Sequence, residues 1–272
     1  MDFLPFYLGA GVITGLVSGL FGVGGGIVMI PVLTVSFRWL NINPEISMHM
    51  ALGTSLAAII VNSLFAVISH SKKKAIQWKF LLLATPGIAT GSLAGAFLAA
   101  DRTSKELGIV FIVFLFLFTL RLFFASKPQQ KSPESSAKKI PSYLNIIMGF
   151  LIGLSSAFLG VGGGVFTSAW LLYLRYPVQH ALATSSGAGL PVSIMGTAGF
   201  IWNGLEISDL PQYSLGFVYL PALLGLIVGG GPAAWAGAKL AHKIEQNLLK
   251  KIFGVFLLCM AVSMLYIKLN TP

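Results

Sequence analysis

The chain has 272 residues, 56% of them hydrophobic and only 10% charged, with a mean hydropathy of +0.84. A water-soluble fold keeps about a quarter of its residues charged to cover its surface, so a soluble globule is excluded. The net charge of +10 does not indicate nucleic acid, because the lysines fall in short loop clusters rather than on one face; the expected large partner is a lipid bilayer, whose cytoplasmic loops collect Lys and Arg.

The chain begins MDFLPFYLG, with Asp2 and no basic residue ahead of the first apolar run. A secretory leader has the opposite charge pattern, so the run, 4–36, is expected to be retained. As one straight helix it would extend about 50 Å, against a hydrocarbon core of about 30 Å. It must therefore tilt strongly or break into two pieces that enter and return. The sequence GVGGG at 22–26 marks the expected break, since Gly22, Gly24, Gly25 and Gly26 each disfavour a helix by about 1 kcal/mol relative to alanine. Close packing through small residues is the other physical reason for such a run. Arg38 follows, and segment 47–69 opens with His49 and carries ALGTS, with Thr54 and Ser55.

Lys72, Lys73, Lys74 and Lys79 mark the next loop. Apolar segments 79–100, with Pro86 and Gly91, and 107–125 come after it, separated by Asp101, Arg102, Lys105 and Glu106. Residues 126–141, SKPQQKSPESSAKKIP, form a polar linker near the middle of the chain. Beyond it the pattern repeats. GLSSAFLGVGGG at 153–164, inside segment 142–174, answers GLVSGLFGVGGG at 15–26 and supplies Gly160, Gly162, Gly163 and Gly164. ALATS at 181–185, inside segment 181–203, answers ALGTS and supplies Thr184 and Ser185. Segment 213–237 offers Pro221 with Gly225 or Gly229 against Pro86 with Gly91, and Arg175 and His180 stand near the places of Arg38 and His49. The last segment, 249–267, holds Cys259, the one cysteine, expected to serve in packing.

The expected fold class is an all-α polytopic membrane protein of two homologous halves, 1–125 and 142–272, with about 8–10 membrane segments and a cytoplasmic linker at 126–141. The lysine-rich loops belong inside, and the loop with Glu206 and Asp209, which has no Lys or Arg, belongs outside. Two ordinary spans cannot connect an inside linker to an outside Glu206 loop together with the second broken segment, unless that segment enters and returns. Treating 4–36 alike makes the halves inverted-topology repeats with both termini outside. Eight simple spans with parallel halves is the rival.

Unwound glycines present backbone N–H groups, and a helix N-terminus beyond them carries partial positive charge, which suits an anion. Two inverted copies bring such breaks together near the midplane. All eight acids, Asp2, Glu45, Asp101, Glu106, Glu134, Glu206, Asp209 and Glu245, fall in or beside loops, whereas cation pumps and proton relays keep a carboxylate within the membrane. Thr54, Ser55, Thr184, Ser185 and Ser186 are candidates to complete the site, or to bond neighbouring helices. His49 and His180 are candidates to donate to an anion, or structural interfacial residues; Arg38 and Arg175 suit a vestibule, or snorkel. Asn62, Asn203 and Gln179 are weaker candidates. GVGGG follows no predicted strand and lacks the Lys-Ser/Thr ending of an ATPase loop, and no His/acid catalytic cluster is found, so an enzyme is not expected. No cofactor and no metal is expected.

The duplicated GVGGG, the ALGTS and ALATS runs and the Pro-Gly third segments resemble the TauE/SafE family of sulfite and organosulfonate exporters. The resemblance spans nearly the whole chain, and the matching positions are Gly22 to Gly26, Gly160 to Gly164, Thr54, Ser55, Thr184 and Ser185. It implies a permease of the bacterial or archaeal cytoplasmic membrane that exports a small anion, sulfite or a related sulfur oxyanion or sulfonate. A passive anion channel and an importer of a different anion are the alternatives, and a homo-oligomer is left open. Ala183 where the first half has Gly53, and Gln179 opposite His49, leave the two halves' contributions open to inequality.

Overall fold

The structure is a computed structural model; residues 3–21, 24–71, 75–124, 141–240, 254–255 and 257–265 are described. Residues 126–140 of the linker expected at 126–141, and Gly22, lie outside them. The described chain is helical: α1 (Leu4–Phe21), α2 (Gly26–Trp39), α3 (Pro44–Ser71), α4 (Trp78–Ala100), α5 (Ser104–Phe124), α6 (Ser142–Phe158), α7 (Gly164–Tyr173), α8 (Val178–Gly204) and α9 (Leu220–Leu240). Between α8 and α9 lies a two-stranded ribbon, β1 (Ser214–Leu215) and β2 (Val218–Tyr219).

Both 33-residue runs break at their glycines and return. The Tyr7 hydroxyl near the start of α1 donates to Ser36 Oγ near the end of α2 at 3.0 Å, and Trp39 at that end packs on Phe3 and Phe6. In the second hairpin, Met148 and Ser155 of α6 line one groove together with Phe166 and Tyr173 of α7, as an antiparallel return of α7 along α6 requires. Each hairpin stops with one device. The Ile42 N–H bonds Phe37 O and the Asn41 N–H bonds Arg38 O; the Tyr176 N–H bonds Leu171 O and the Arg175 N–H bonds Leu172 O. This is the Schellman pattern, with Asn41 (φ 53°) and Arg175 (φ 66°) in the left-handed position.

Sequence explains the other helix starts. Asn43 caps α3, accepting from the Glu45 N–H at 2.9 Å, and Pro44 fills the first turn where its missing N–H is harmless. Thr103 and Glu106 form a reciprocal capping box at α5, with bonds of 3.2 and 3.0 Å.

The long helices α3 and α8 cross antiparallel at the centre. Gly53 lies against Phe200, Leu56 against Gly196 and Ser63 against Gly189, so the register runs in opposite directions. Around them the halves exchange partners. Glycines 11, 15 and 19 of α1 face the backbone at Leu226, Gly230 and Ala234 of α9; glycines 149 and 153 of α6 face Ala84 and Ile88 of α4. In return Gly87 and Gly95 of α4 face Ile146 and Leu154, and Gly229 and Gly237 of α9 face Leu8 and Leu16. A side chain at these places would strike a neighbouring carbonyl, and such small-residue faces are how helices approach closely in lipid. The contacts correct one correspondence: Gly87 answers Gly229, so Pro86 answers Val228 and not Pro221.

Among the described residues four helices, α1, α3, α4 and α9, are long and apolar enough to cross a membrane. At 27 residues α8 is as long, but it carries buried Thr184, Ser185, Ser186, Ser193 and Thr197, hydroxyls that lower its hydropathy while facing other helices. Large apolar side chains such as Leu82, Leu117, Val228 and Val262 are exposed, as a lipid-facing surface requires. Exposed aromatics stand at the helix ends: Trp39, Trp202 and Tyr213 at one end of the bundle, Trp78, Tyr143 and Tyr173 at the other. Two such belts mark the two membrane interfaces. Cys259, expected to pack, is instead exposed, consistent with a small apolar residue on an outer face.

Candidate functional site

The two glycine breaks meet face to face at the centre. Gly24 lies against Gly162, where an added Cβ would stand 3.0 Å from the opposing Cα, and Gly26 lies against Gly160 O, 2.5 Å from its would-be Cβ. Gly24, Gly25, Gly160 and Gly163 have φ of 78°, 81°, 64° and 72°, the left-handed region that glycine enters without strain. These values, and not helix packing alone, require glycine at the four positions. From the breaks α2 and α7 start at Gly26 and Gly164, so two helix N-termini point from the centre toward opposite ends of the bundle.

The polar candidates divide into those at the centre and those at the ends. Ser55 reaches across the halves: its hydroxyl donates to Gly160 O at 3.0 Å and lies 4.0 Å from Met29 Sδ. Ser185 and Ser186 are buried on α8, and each donates back to Leu182 O. Thr54 and Thr184 hold connectors. The Tyr219 N–H, at the end of the ribbon, donates to Thr54 Oγ1 at 2.9 Å; the Gln77 N–H, at the start of α4, donates to Thr184 Oγ1 at 2.9 Å. Each half thereby folds its connector over the other half's long helix, one at each end.

His49 lies under the ribbon, stacked on Phe217 at 5.1 Å, with Nε2 2.9 Å from Arg102 O and Nδ1 3.2 Å from Ser104 Oγ. His180 Nδ1 is 2.9 Å from Gln77 Nε2, at the opposite end. Neither histidine faces the glycines. Arg38 and Arg175 are exposed at the outer ends of the hairpins, about 17 Å along their helices from the breaks at 1.5 Å per residue. In role Arg175 matches Asn41, not Arg38. Gln179 is exposed, and the Asn203 side chain donates to Gly199 O at 2.7 Å.

The ribbon also explains why the halves differ at Gly53 and Ala183. A Cβ on Gly53 would come 2.6 Å from Phe217 O, whereas the shorter connector through Ala75 to Gln77 leaves the buried Ala183 its methyl.

Sequence reasoning ranked Asn62 low and passed over Ser63, Ser156 and Thr167. All four are buried, and Asn62 Oδ1 and Nδ2, Ser63 Oγ, Ser156 Oγ and Thr167 Oγ1 meet no hydrogen-bond partner. A buried polar atom left unpaired costs about 1–3 kcal/mol, so such a group points to something that pairs it in use. The available signal was polarity inside apolar segments. Among the described residues no group of His, Cys, Asp and Glu is arranged to hold a metal ion.

An all-helical bundle with a lipid-facing surface, two aromatic belts and a broken-helix centre defines a polytopic membrane protein of the transporter class. The family model for sulfite exporter TauE/SafE matches residues 7–264. The chain therefore belongs to the TauE/SafE family of membrane transporters. It is 30% identical over 263 residues to a "Probable membrane transporter protein" of Haemophilus influenzae, covering 96% of this chain and 98% of the relative. A protein of the same description from Methanocaldococcus jannaschii is 29% identical, with 96% and 95% covered, and one from Bacillus subtilis 26% identical, with 94% and 95% covered. No solved structure gives a significant match.

Proposed function

We propose that the chain is a secondary transporter that exports a small anion, sulfite or a related sulfur oxyanion or sulfonate, across the cytoplasmic membrane by alternating access. The observation that carries this reading is the meeting of Gly24 with Gly162 and Gly26 with Gly160, each break opening a helix N-terminus with no acid beside it. The breaks supply N–H groups and positive dipole ends where a cation site would need carboxylates.

Antiparallel α3 and α8, with matched connector bonds at Thr54 and Thr184, support inverted repeats. Such repeats carry two gates related by a pseudo-two-fold axis in the membrane plane. The connector over Thr54 covers one end of the centre and that over Thr184 the other, so opening one while the other stays bonded gives alternating access.

Charge supports the orientation. Among the described residues Lys79, Arg175 and Lys239 at the His180 end are matched by Arg38, Arg102 and Lys105 at the His49 end, but the sequence adds Lys72, Lys73 and Lys74 between α3 and α4, whose facing ends both lie at the His180 end. The His180 end then faces the cytoplasm. An inside-negative potential favours anion exit by about 2.3 kcal/mol per charge per 100 mV, so export needs no coupling ion. Sulfur oxyanions as cargo follow the family description.

The test is sulfite flux in proteoliposomes, with Gly25→Leu and Gly163→Leu variants whose membrane insertion is checked separately. Saturable flux with counterflow, lost in inserted variants, is expected. Non-saturable flux without counterflow would mean a channel, and unchanged flux in the variants would remove the breaks from the pathway.

A further inference from the structure

The two breaks share a sequence but not their surroundings. Apolar side chains stand nearest the first: Ile59 Cγ2 lies 3.0 Å from the would-be Cβ of Gly24 and Met29 Cε 3.3 Å from that of Gly25, with Thr14 O and Ser18 Cβ beside Gly25 at 2.7 and 3.4 Å. Matched contacts put Gly189 in the place of Ile59 and Thr167 in the place of Met29. Where Ile59 closes over the first break, Gly189 leaves room for a hydroxyl. A Cβ there would fall 2.5 Å from Ser63 Oγ and 3.0 Å from Gly162 O.

Three hydroxyls gather at the second break. Ser63 stands beside Gly162, Ser156 Oγ lies 3.7 Å from the would-be Cβ of Gly163, and Thr167 sits in the first turn of α7. Each is at most 1% exposed and each lacks a partner. Two of their counterparts are spent or absent, since Ser193, which answers Ser63, donates to Leu190 O at 3.1 Å and Met29 replaces Thr167; Ser156 keeps its counterpart in the buried Ser18, whose Cβ lies 3.4 Å from the would-be Cβ of Gly25. The backbone differs too. The difference lies at one N–H: that of Val28 in the first turn of α2 bonds Gly25 O, whereas that of Phe166 at the same place in α7 meets no acceptor among the described residues; Gly164 and Val165, like Gly26 and Ile27, meet none.

We infer that the anion is bound by the second break alone, in a cradle of the Gly164, Val165 and Phe166 N–H groups and the Ser63, Ser156 and Thr167 hydroxyls, and that the first break is its apolar wall. The cradle offers donors and no charge, which suits a small oxyanion whose several oxygens each accept a bond. Neutral donors also release it when a gate opens, since no fixed cation holds it. This inference rests on the transport reading above and narrows it to one half of the molecule.

The test is calorimetric titration of the purified full-length protein with sulfite, beside sulfite flux in proteoliposomes. Ser156→Ala and Thr167→Val are each expected to weaken sulfite binding at least tenfold. Neither should lower the melting temperature, because an unpaired buried hydroxyl contributes no bond to the empty protein. Ser193→Ala, at the equivalent place in the other half, should leave affinity within twofold. Wild-type affinity in Ser156→Ala and Thr167→Val would overturn the cradle while leaving transport intact. A fall in melting temperature without a change in affinity would make the hydroxyls structural, and equal weakening in Ser193→Ala would make the site two-fold symmetric. If the wild-type protein neither binds nor moves sulfite or a sulfonate, the transport reading fails and the cradle with it.

Discussion

The first glycine break is closed over by Ile59 and Met29 and the second has partnerless hydroxyls beside it, although both read GVGGG. Around the first, Thr14 O, the Met29 methyl and the Ile59 methyls close on glycine backbone; around the second, the nearest neighbour of Gly163 is a Val192 methyl, and hydroxyls stand free. Identical motifs thus acquire different chemistry from residues far away in sequence. Residues on the facing helices, and not the motif itself, set what each break presents to its surroundings.

The comparison breaks most visibly at Ile59. Ile59→Ala removes the methyls that touch Gly24 and Gly26 and leaves a cavity at the junction of both breaks. A destabilisation of about 2–5 kcal/mol is expected, read as a fall in melting temperature of the purified protein. A loss below about 1 kcal/mol would mean that the first break is not sealed by this side chain.

A smaller effect separates the motifs directly. Alanine at Gly25 or Gly163 pays the left-handed penalty of about 1–2 kcal/mol in either case. At Gly25 the new methyl also meets Thr14 O at 2.7 Å, which is backbone, whereas at Gly163 it meets Val192 Cγ2 at 2.9 Å, which can turn aside. Gly25→Ala is therefore expected to lower stability more than Gly163→Ala, by about a further 1–3 kcal/mol. Equal melting temperatures would erase the distinction between the two breaks.

A further effect of similar size is one in which the halves should agree. Thr54→Val and Thr184→Val each leave one connector N–H, of Tyr219 or Gln77, without its acceptor, at about 1–3 kcal/mol. Hydrogen exchange should show each connector loosening at its own end only. Loosening at both ends in one variant would mean that the two connectors are coupled through α3 and α8 rather than independent.

Much of the architecture was legible in the residues. The excess length of 4–36 and 142–174 and the position of the lysines imply hairpins, because a bilayer limits span length and positive charge stays inside. The pairing of α1 with α9 and of α4 with α6 was not legible. A row of glycines such as 11, 15 and 19 prepares a helix for close approach without naming a partner, so Pro86 was set against Pro221 when Gly87 answers Gly229. Thr54 and Thr184 were visible as a repeat, but their bonds go to Tyr219 and Gln77, partners distant in the chain. Ser63, Ser156 and Thr167 escaped notice because single hydroxyls in apolar runs are common back-bonding residues; only their lack of a partner in three dimensions sets them apart.

The exchange of outer helices has a consequence for biogenesis. As the chain emerges from the ribosome, α1 enters the bilayer with its glycine face bare and waits for α9, nearly the last helix made, to cover it. Residues 1–125 expressed alone would present two bare glycine faces, on α1 and α4, and residues 142–272 two more, on α6 and α9. Neither half is a self-sufficient unit, and the fold is completed only when the end of the chain comes back to its beginning.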